Sequence, residues 1–273
     1  MKKSLIYIYI IFLFASCEKQ TTWDLESEQK NIIVVDGMIT NEKKEHTIKI
    51  SFPVDNLNDT AKPVTGAAVV ISDFNSVYTL SEQPANSGIY KTSSDFAGIP
   101  GTQYTLFISY NNIVYTAKTR LLPGIDFHPL LYEMNTDNGL FYITTVSSNY
   151  NAKHYAIWEI LLDWSNVEGY QQCNPDSCKK RLLYYTLPTI DVSQTFAPSV
   201  EKIYFPTGTL ITERRYSITE EHAQFIRAML SETNWTGGFF DSSHSNVPTN
   251  ISNGAIGFFS ACGVETLYLS VIP

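Results

Sequence analysis

Charge is scarce in this chain: Asp, Glu, Lys and Arg make up 17% of its 273 residues, against about 25% in an ordinary soluble protein. Basic charge is scarcer still. There are 19 Lys and Arg against 27 Asp and Glu, for a formal net charge of −8. A chain of that sign has no electrostatic footprint for nucleic acid and no polybasic grip on anionic lipid. No apolar run reaches the roughly 20 residues that a bilayer-spanning helix needs. Also missing are a Gly-x-Ser-x-Gly elbow, a His-Glu-x-x-His pair, a phosphate-cradling Gly-Lys-Ser/Thr and a dinucleotide fingerprint. The five histidines, His46, His128, His154, His222 and His244, show no metal-ligand spacing. The residues therefore call for no metal, no cofactor and no catalytic group, and the expectation is a protein that is not an enzyme. What is plentiful is apolar residues, at 44%, which with this length are enough for a sizeable core.

The most informative stretch is the start. Lys2 and Lys3 precede the apolar run Leu5 to Phe14, which closes on Ala15-Ser16-Cys17. A basic n-region, an apolar h-region of about ten residues and small residues before a cleavage point make a secretory signal. A Cys directly after Ala-Ser adds a resemblance to the bacterial lipoprotein signal, in which that Cys is acylated and becomes the new N-terminus. Phe14 stands where that signal usually has Leu, Val or Ile; it keeps the bulk and the apolarity. The resemblance implies that Cys17 carries acyl chains, each contributing about 0.8 kcal/mol per buried CH₂. The protein is then attached to a membrane through lipid without crossing it. Without the two lysines of residues 1–17 the charge becomes −8 − 2 = −10. Residues 18–30 are polar apart from Trp23 and Leu25 and read as a tether.

Three cysteines remain. Cys173 and Cys178 flank Asn174-Pro175-Asp176-Ser177, a turn sequence that can bring the two thiols back toward each other. In an oxidising compartment this reads as a small disulfide-closed loop. Free thiols are the rival reading, and half a metal site is a weaker one because no second pair of ligands is evident. Cys262 lies in an apolar strand-like run and reads as a buried, unpaired thiol.

From residue 31 the chain alternates like short strands. Seven are expected: Ile32–Ile39, His46–Phe52, Ala67–Ser72, Val77–Ser81, Gly88–Ser93, Gln103–Tyr110 and Ile113–Thr119. The two residues Asn111-Asn112 between the last pair are a hairpin signal. Seven short strands in about 90 residues fit an immunoglobulin-like sandwich over 31–122. The Pro/Gly-containing stretch 121–130 marks a domain boundary near Gly124. The second part, 125–273, reads as β-rich with one helix. Strands are expected at Leu140–Ser147, His154–Asp163, Arg181–Thr186, Lys202–Phe205 and Thr209–Tyr216. Ala255–Ala261 and Val264–Val271 read as a closing pair. The helix is expected near 218–230, with Ser217 and Glu220 as a capping box and Phe225, Ile226, Met229 and Leu230 as its buried stripe.

Several residues invite a sharper reading. Trp235, Phe239 and Phe240 lie in a Gly-rich loop; they either bind a ligand or partner or plug the base of that loop, and the plug is the favoured reading. Asp241-Ser242-Ser243-His244 holds triad residue types, but neighbours on a loop do not make a triad. Glu220-Glu221 reads as a solvated first helical turn. Asp59-Thr60-Ala61 resembles the acceptor sequence of Bacteroidota O-glycosylation, with Thr60 as the modified residue.

Pro63-Val64-x-Gly66-Ala67-x-Val69, with the later Gly88-x-Tyr90, resembles the prealbumin-like modules also called carboxypeptidase regulatory-like. There these residues are scaffold. Added to Val35-Asp36-Gly37, Gly101-x-x-Tyr104-x-Leu106, Pro248-Thr249-Asn250-Ile251 and Ala255-Ile256-Gly257-Phe258-Phe259, the ordered set resembles a Bacteroidota lipoprotein family known as domain of unknown function 4249. Asp36 departs from the Glu more usual before that Gly. The resemblance covers nearly the whole chain after Cys17. It implies an outer-membrane lipoprotein, on the periplasmic or the cell-surface face, that works beside a TonB-dependent transporter in substrate capture or assembly. The alternative is a free-standing surface module that binds glycans or proteins.

Overall fold

The computed structural model describes residues 32–54, 56, 59–150, 154–188, 202–233 and 247–272, with the side chains of 175 and 176 excepted. Cys17, the 18–30 stretch and the Trp235, Phe239 and Phe240 loop lie outside the described residues. So do Ser242, Ser243 and His244.

The seven strands of the first part form as β1 (Val34–Thr40), β2 (Thr47–Ser51), β3 (Ala68–Ser72), β4 (Val77–Glu82), β5 (Ile89–Lys91), β6 (Gln103–Tyr110) and β7 (Ile113–Arg120). Their alternation is physical: Ile48 and Ile50 are buried while Thr47 and Lys49 are exposed, and Tyr104, Leu106 and Ile108 are buried along β6. Inward residues of all seven strands join one core, from Val35 and Ile39 to Tyr115 and Ala117. Asn111 and Asn112 both take positive φ, 48° and 63°. A two-residue turn needs that backbone to match the twist of its strands, and Tyr110 indeed pairs with Ile113.

The second part adds β8 (Phe127–His128), β9 (Leu131–Met134), β10 (Phe141–Thr145), β11 (Ser148–Asn149), β12 (Ala156–Asp163), the one-turn helix α1 (Pro175–Cys178), β13 (Lys179–Thr186), β14 (Leu210–Ser217), the helix α2 (Glu220–Thr233) and β15 (Ile256–Ser270). The protein is thus mainly β, with one long helix among the described residues. Eleven strands are hydrogen-bonded in the order β13-β12-β14-β15-β1-β2-β5-β4-β3-β6-β7. β9 with β10, and β8 with β11, make two small ladders outside that sheet. The expected strand at Lys202–Phe205 reduces to one bridge, Phe141 to Phe205; Pro206 follows, and its missing N–H ends the ladder there.

The largest departure is at the end of the chain. Ala255–Ala261 and Val264–Val271 are not a pair of strands. They are one strand, β15, of 15 residues. Gly263, in the gap between the two expected strands, serves close approach. A Cβ there would stand 2.2 Å from the Gly124 nitrogen and 2.4 Å from the Leu122 carbonyl oxygen. Only a residue without one lets the strand run straight past the 122–124 backbone. β15 pairs in parallel with β1 from Ile256 to Cys262 and antiparallel with β14 from Gly263 to Ser270. It is therefore a member of both sets of strands.

Helix α2 also corrects its expected start. Ser217 is the last, buried residue of β14, not a cap. Thr219 caps the helix: its Oγ1 accepts the His222 N–H at 3.3 Å, the bond that satisfies one of the free amides of a first turn. The buried stripe is His222, Ala223, Ile226 and Leu230, while Met229 is exposed. Glu220 and Glu221 are exposed in the first turn.

Candidate functional site

Alternate residues of β14 point to opposite faces, and both faces carry charge. On one face Arg181 of β13 donates to Glu159 of β12 at 2.6 Å, and the Tyr216 hydroxyl donates to the same carboxylate at 2.8 Å. Arg214 joins Glu159 and, beyond the end of β1, Glu42. Lys44 completes the chain at 2.6 Å from Glu42. Burial works to raise the Glu159 pKa, but Arg181, Tyr216 and Arg214 outweigh it and hold the carboxyl below its usual range. The same balance, with Lys44 and Arg214 as partners, lowers Glu42.

On the opposite face Glu213 and Arg215 are 1% and 0% exposed, among the last residue types to be buried without partners. Glu213 accepts the Leu130 N–H at 3.0 Å and the Ser147 hydroxyl. Burial pushes its pKa up. Arg215 donates from Nε to Asn149 Oδ1 at 2.7 Å and from Nη1 to Ser217 Oγ at 2.6 Å. Its guanidinium lies 5.4 Å from the Trp158 ring centroid. Burial pulls Arg215 down to about 10, with Glu265 across the ladder acting the other way. These bonds fasten the 127–149 segment over the sheet. Ser147 is 3% exposed, so this serine and carboxylate pair is closed to a substrate and acts as a strut.

Beside the strut a cleft of about 390 Å³ opens to solvent, lined by Asp126, Phe127, Tyr150, Glu265, Thr266 and Leu267. A second, of about 370 Å³, lies by Asp163, Lys179 and Thr212. There Lys179 pairs with Asp163 at 2.8 Å and, with Ser165, holds that carboxyl near 2.

The expected site residues fall in different places. Cys173 and Cys178 are joined, their Cα atoms 6.2 Å apart, within the span a disulfide bridges. Cys262 is a free, buried thiol pushed up to about 12 by burial. Thr60 is exposed between β2 and β3. His46 is buried beside Thr40, and His222 is buried and stacked on Phe258; burial brings each down to about 4. Among the described residues no three of His, Cys, Asp and Glu gather as metal ligands. The reading from sequence passed over Glu213 and Arg215. The available signal was Glu213-Arg214-Arg215 inside a strand pattern, which must send at least one charge inward.

The family model described as Domain of unknown function (DUF4249) matches residues 18–267. No match is found among curated proteins.

Proposed function

Because this chain belongs to the DUF4249 family, we propose that it is a lipid-anchored protein of a Bacteroidota outer membrane, a non-enzymatic accessory to a TonB-dependent transporter. The observation that carries this reading is at the N-terminus. Ala15-Ser16-Cys17 closes the signal-like run, and the family match begins at residue 18, immediately after the Cys that would become the acylated terminus. The core already includes Ile33, and the polar residues 18–30 before it serve as the spacer between lipid and body. The residues shared with carboxypeptidase regulatory-like modules act as scaffold, which favours a binding or assembly role for the sandwich. No described helix is long and apolar enough to cross a membrane.

The test has two arms. Cells grown with radiolabelled palmitate should label the wild-type protein and leave Cys17→Ala unlabelled and in the soluble fraction. Absence of label, or unchanged membrane partitioning of Cys17→Ala, overturns the anchor. Affinity isolation from solubilised membranes should then recover a TonB-dependent transporter. Its absence from the isolate, with the label present, rejects the accessory role in favour of a free-standing surface module.

A further inference from the structure

Among the described residues, the second half of β15 has one paired edge and one open edge. Its odd-numbered side toward β14 is laddered from Gly263 to Ser270. On its other side β1 stops at Thr40, opposite Cys262. The Asn41 side chain then satisfies Val264, accepting its N–H at 2.7 Å and donating to its carbonyl at 3.4 Å. By the alternation of an extended strand, the N–H and C=O groups of Thr266, Tyr268 and Ser270 point to the same side as those of Val264. No described strand pairs with them. Tyr268 is 75% exposed on this stretch.

The solvent-open cleft meets this stretch of β15 at its start. Three consecutive β15 residues, Glu265, Thr266 and Leu267, line it. Thr266 belongs both to the cleft lining and to the residues whose backbone faces the open edge. Asp126 supplies a second carboxylate and Tyr150 an aromatic wall that is 62% exposed. The Tyr150 ring is steadied by His128, with centroids 3.7 Å apart. Among the described residues no lysine or arginine lines the cleft. Arg215, the cross-strand partner of Glu265, is fully buried. Asp126 and Glu265 thus put two carboxylates on the cleft wall.

We propose that the Thr266–Ser270 edge is a docking site for an extended segment of a partner protein, which adds a strand to β15 and seats one Lys or Arg side chain between Asp126, Glu265 and Tyr150. Main-chain hydrogen bonds to the open edge supply affinity, and the cleft supplies the choice of side chain, as in other strand-addition complexes. The acidic pair and the ring together suit a cation, by charge and by the ring's negative face. This gives the chemistry of a partner for the accessory role proposed above and rests on that reading only for where the partner is found.

Random decapeptides displayed on phage and selected against the full-length protein in detergent test it. The selected peptides should carry a Lys or Arg within an alternating, β-branched background. Removing a carboxylate, by Asp126→Asn or Glu265→Gln, should weaken their binding about tenfold. Methylating alternate backbone nitrogens of a selected peptide should abolish binding without any change to the protein. Bound peptide should slow hydrogen exchange at Thr266, Tyr268 and Ser270. The proposal is overturned if no binders emerge, if binders lack a basic residue, if the carboxylate variants bind equally well, or if protection appears elsewhere. Each of these results leaves the palmitate and transporter experiments free to succeed or fail by themselves.

Discussion

Tyr90 joins two pieces of chain that are far apart in sequence. Its hydroxyl donates to the Val64 carbonyl at 2.8 Å and accepts the Ala67 N–H at 2.9 Å, while the ring is 1% exposed. The Glu82 carboxylate works the same way, accepting from Gly66 N–H at 3.1 Å and Gly88 N–H at 2.8 Å. The Pro-Val-x-Gly-Ala and Gly-x-Tyr motifs are thus one hydrogen-bonded unit. Tyr90→Phe leaves two buried backbone groups without a partner and should lower stability by about 1–3 kcal/mol, read as a lower urea midpoint at unchanged slope. The buried histidines set a second expectation. His46 and His222 are neutral in the fold down to about 4, below the ordinary value near 6.5. The unfolded chain therefore binds protons first, and the stability these groups contribute is complete above about 6.5 and lost as pH falls toward 4. His222→Phe keeps the stack on Phe258 and removes the titration. Its urea midpoint should fall less than that of wild type between pH 7 and pH 4.5; an equal fall in both proteins refutes this.

At the scale of elements, local sequence settles some boundaries and tertiary contact settles others. The helix start is an example. The Ser217 and Glu220 spacing satisfies a capping pattern, but Ser217 is committed to β14, where its Oγ accepts from Arg215 at 2.6 Å. Thr219, two residues on, is free to cap. Thr219→Ala should cost about 1 kcal/mol of stability, whereas Met229→Lys, on the exposed side, should fall within about 0.5 kcal/mol of wild type; thermal melts of both variants decide it. The seven strands of the first part were readable because each buries one face, so period-two alternation reports directly on the core. β8, β9 and β11 were not. They are two to four residues long, and β9 is exposed at Leu131, Glu133 and Met134. The single strand β15 was not legible because the close approach that Gly263 permits is to the 122–124 backbone, about 140 residues away in sequence. Glu213 and Arg215 were hidden for a related reason: their partners, Leu130 N–H, Ser147 and Asn149, lie 66 or more residues away, and no local pattern encodes them.

Across the whole molecule, the described residues from Ile32 onward belong to one unit, although the chain passes through a Pro/Gly stretch at 121–130. The parallel β1–β15 ladder explains why. Ile33, Val35 and Ile39 share a core with Phe259 and Ala261, so the first seven strands are incomplete without the last one. A fragment of residues 18–122 should consequently fail to fold alone, giving a collapsed amide spectrum in NMR. Adding a peptide of residues 247–272 should restore dispersed resonances, and a well-dispersed spectrum from the fragment alone would contradict this. The Arg181–Glu159–Arg214–Glu42 chain of ion pairs crosses the same seam. It is partly exposed, so it sets how the strands register more than it adds to stability.

The parallel ladder also governs the order of events during synthesis. Val34 is added to the chain with its parallel neighbour Ile256 still 256 − 34 = 222 codons from being read. Until Ile256 is made, the flank of β1 that pairs with β15 lacks its partner strand. Closure of the sheet is then a terminal step, made only by a chain that has been delivered whole, and premature termination anywhere upstream leaves a product that quality-control proteases can recognise.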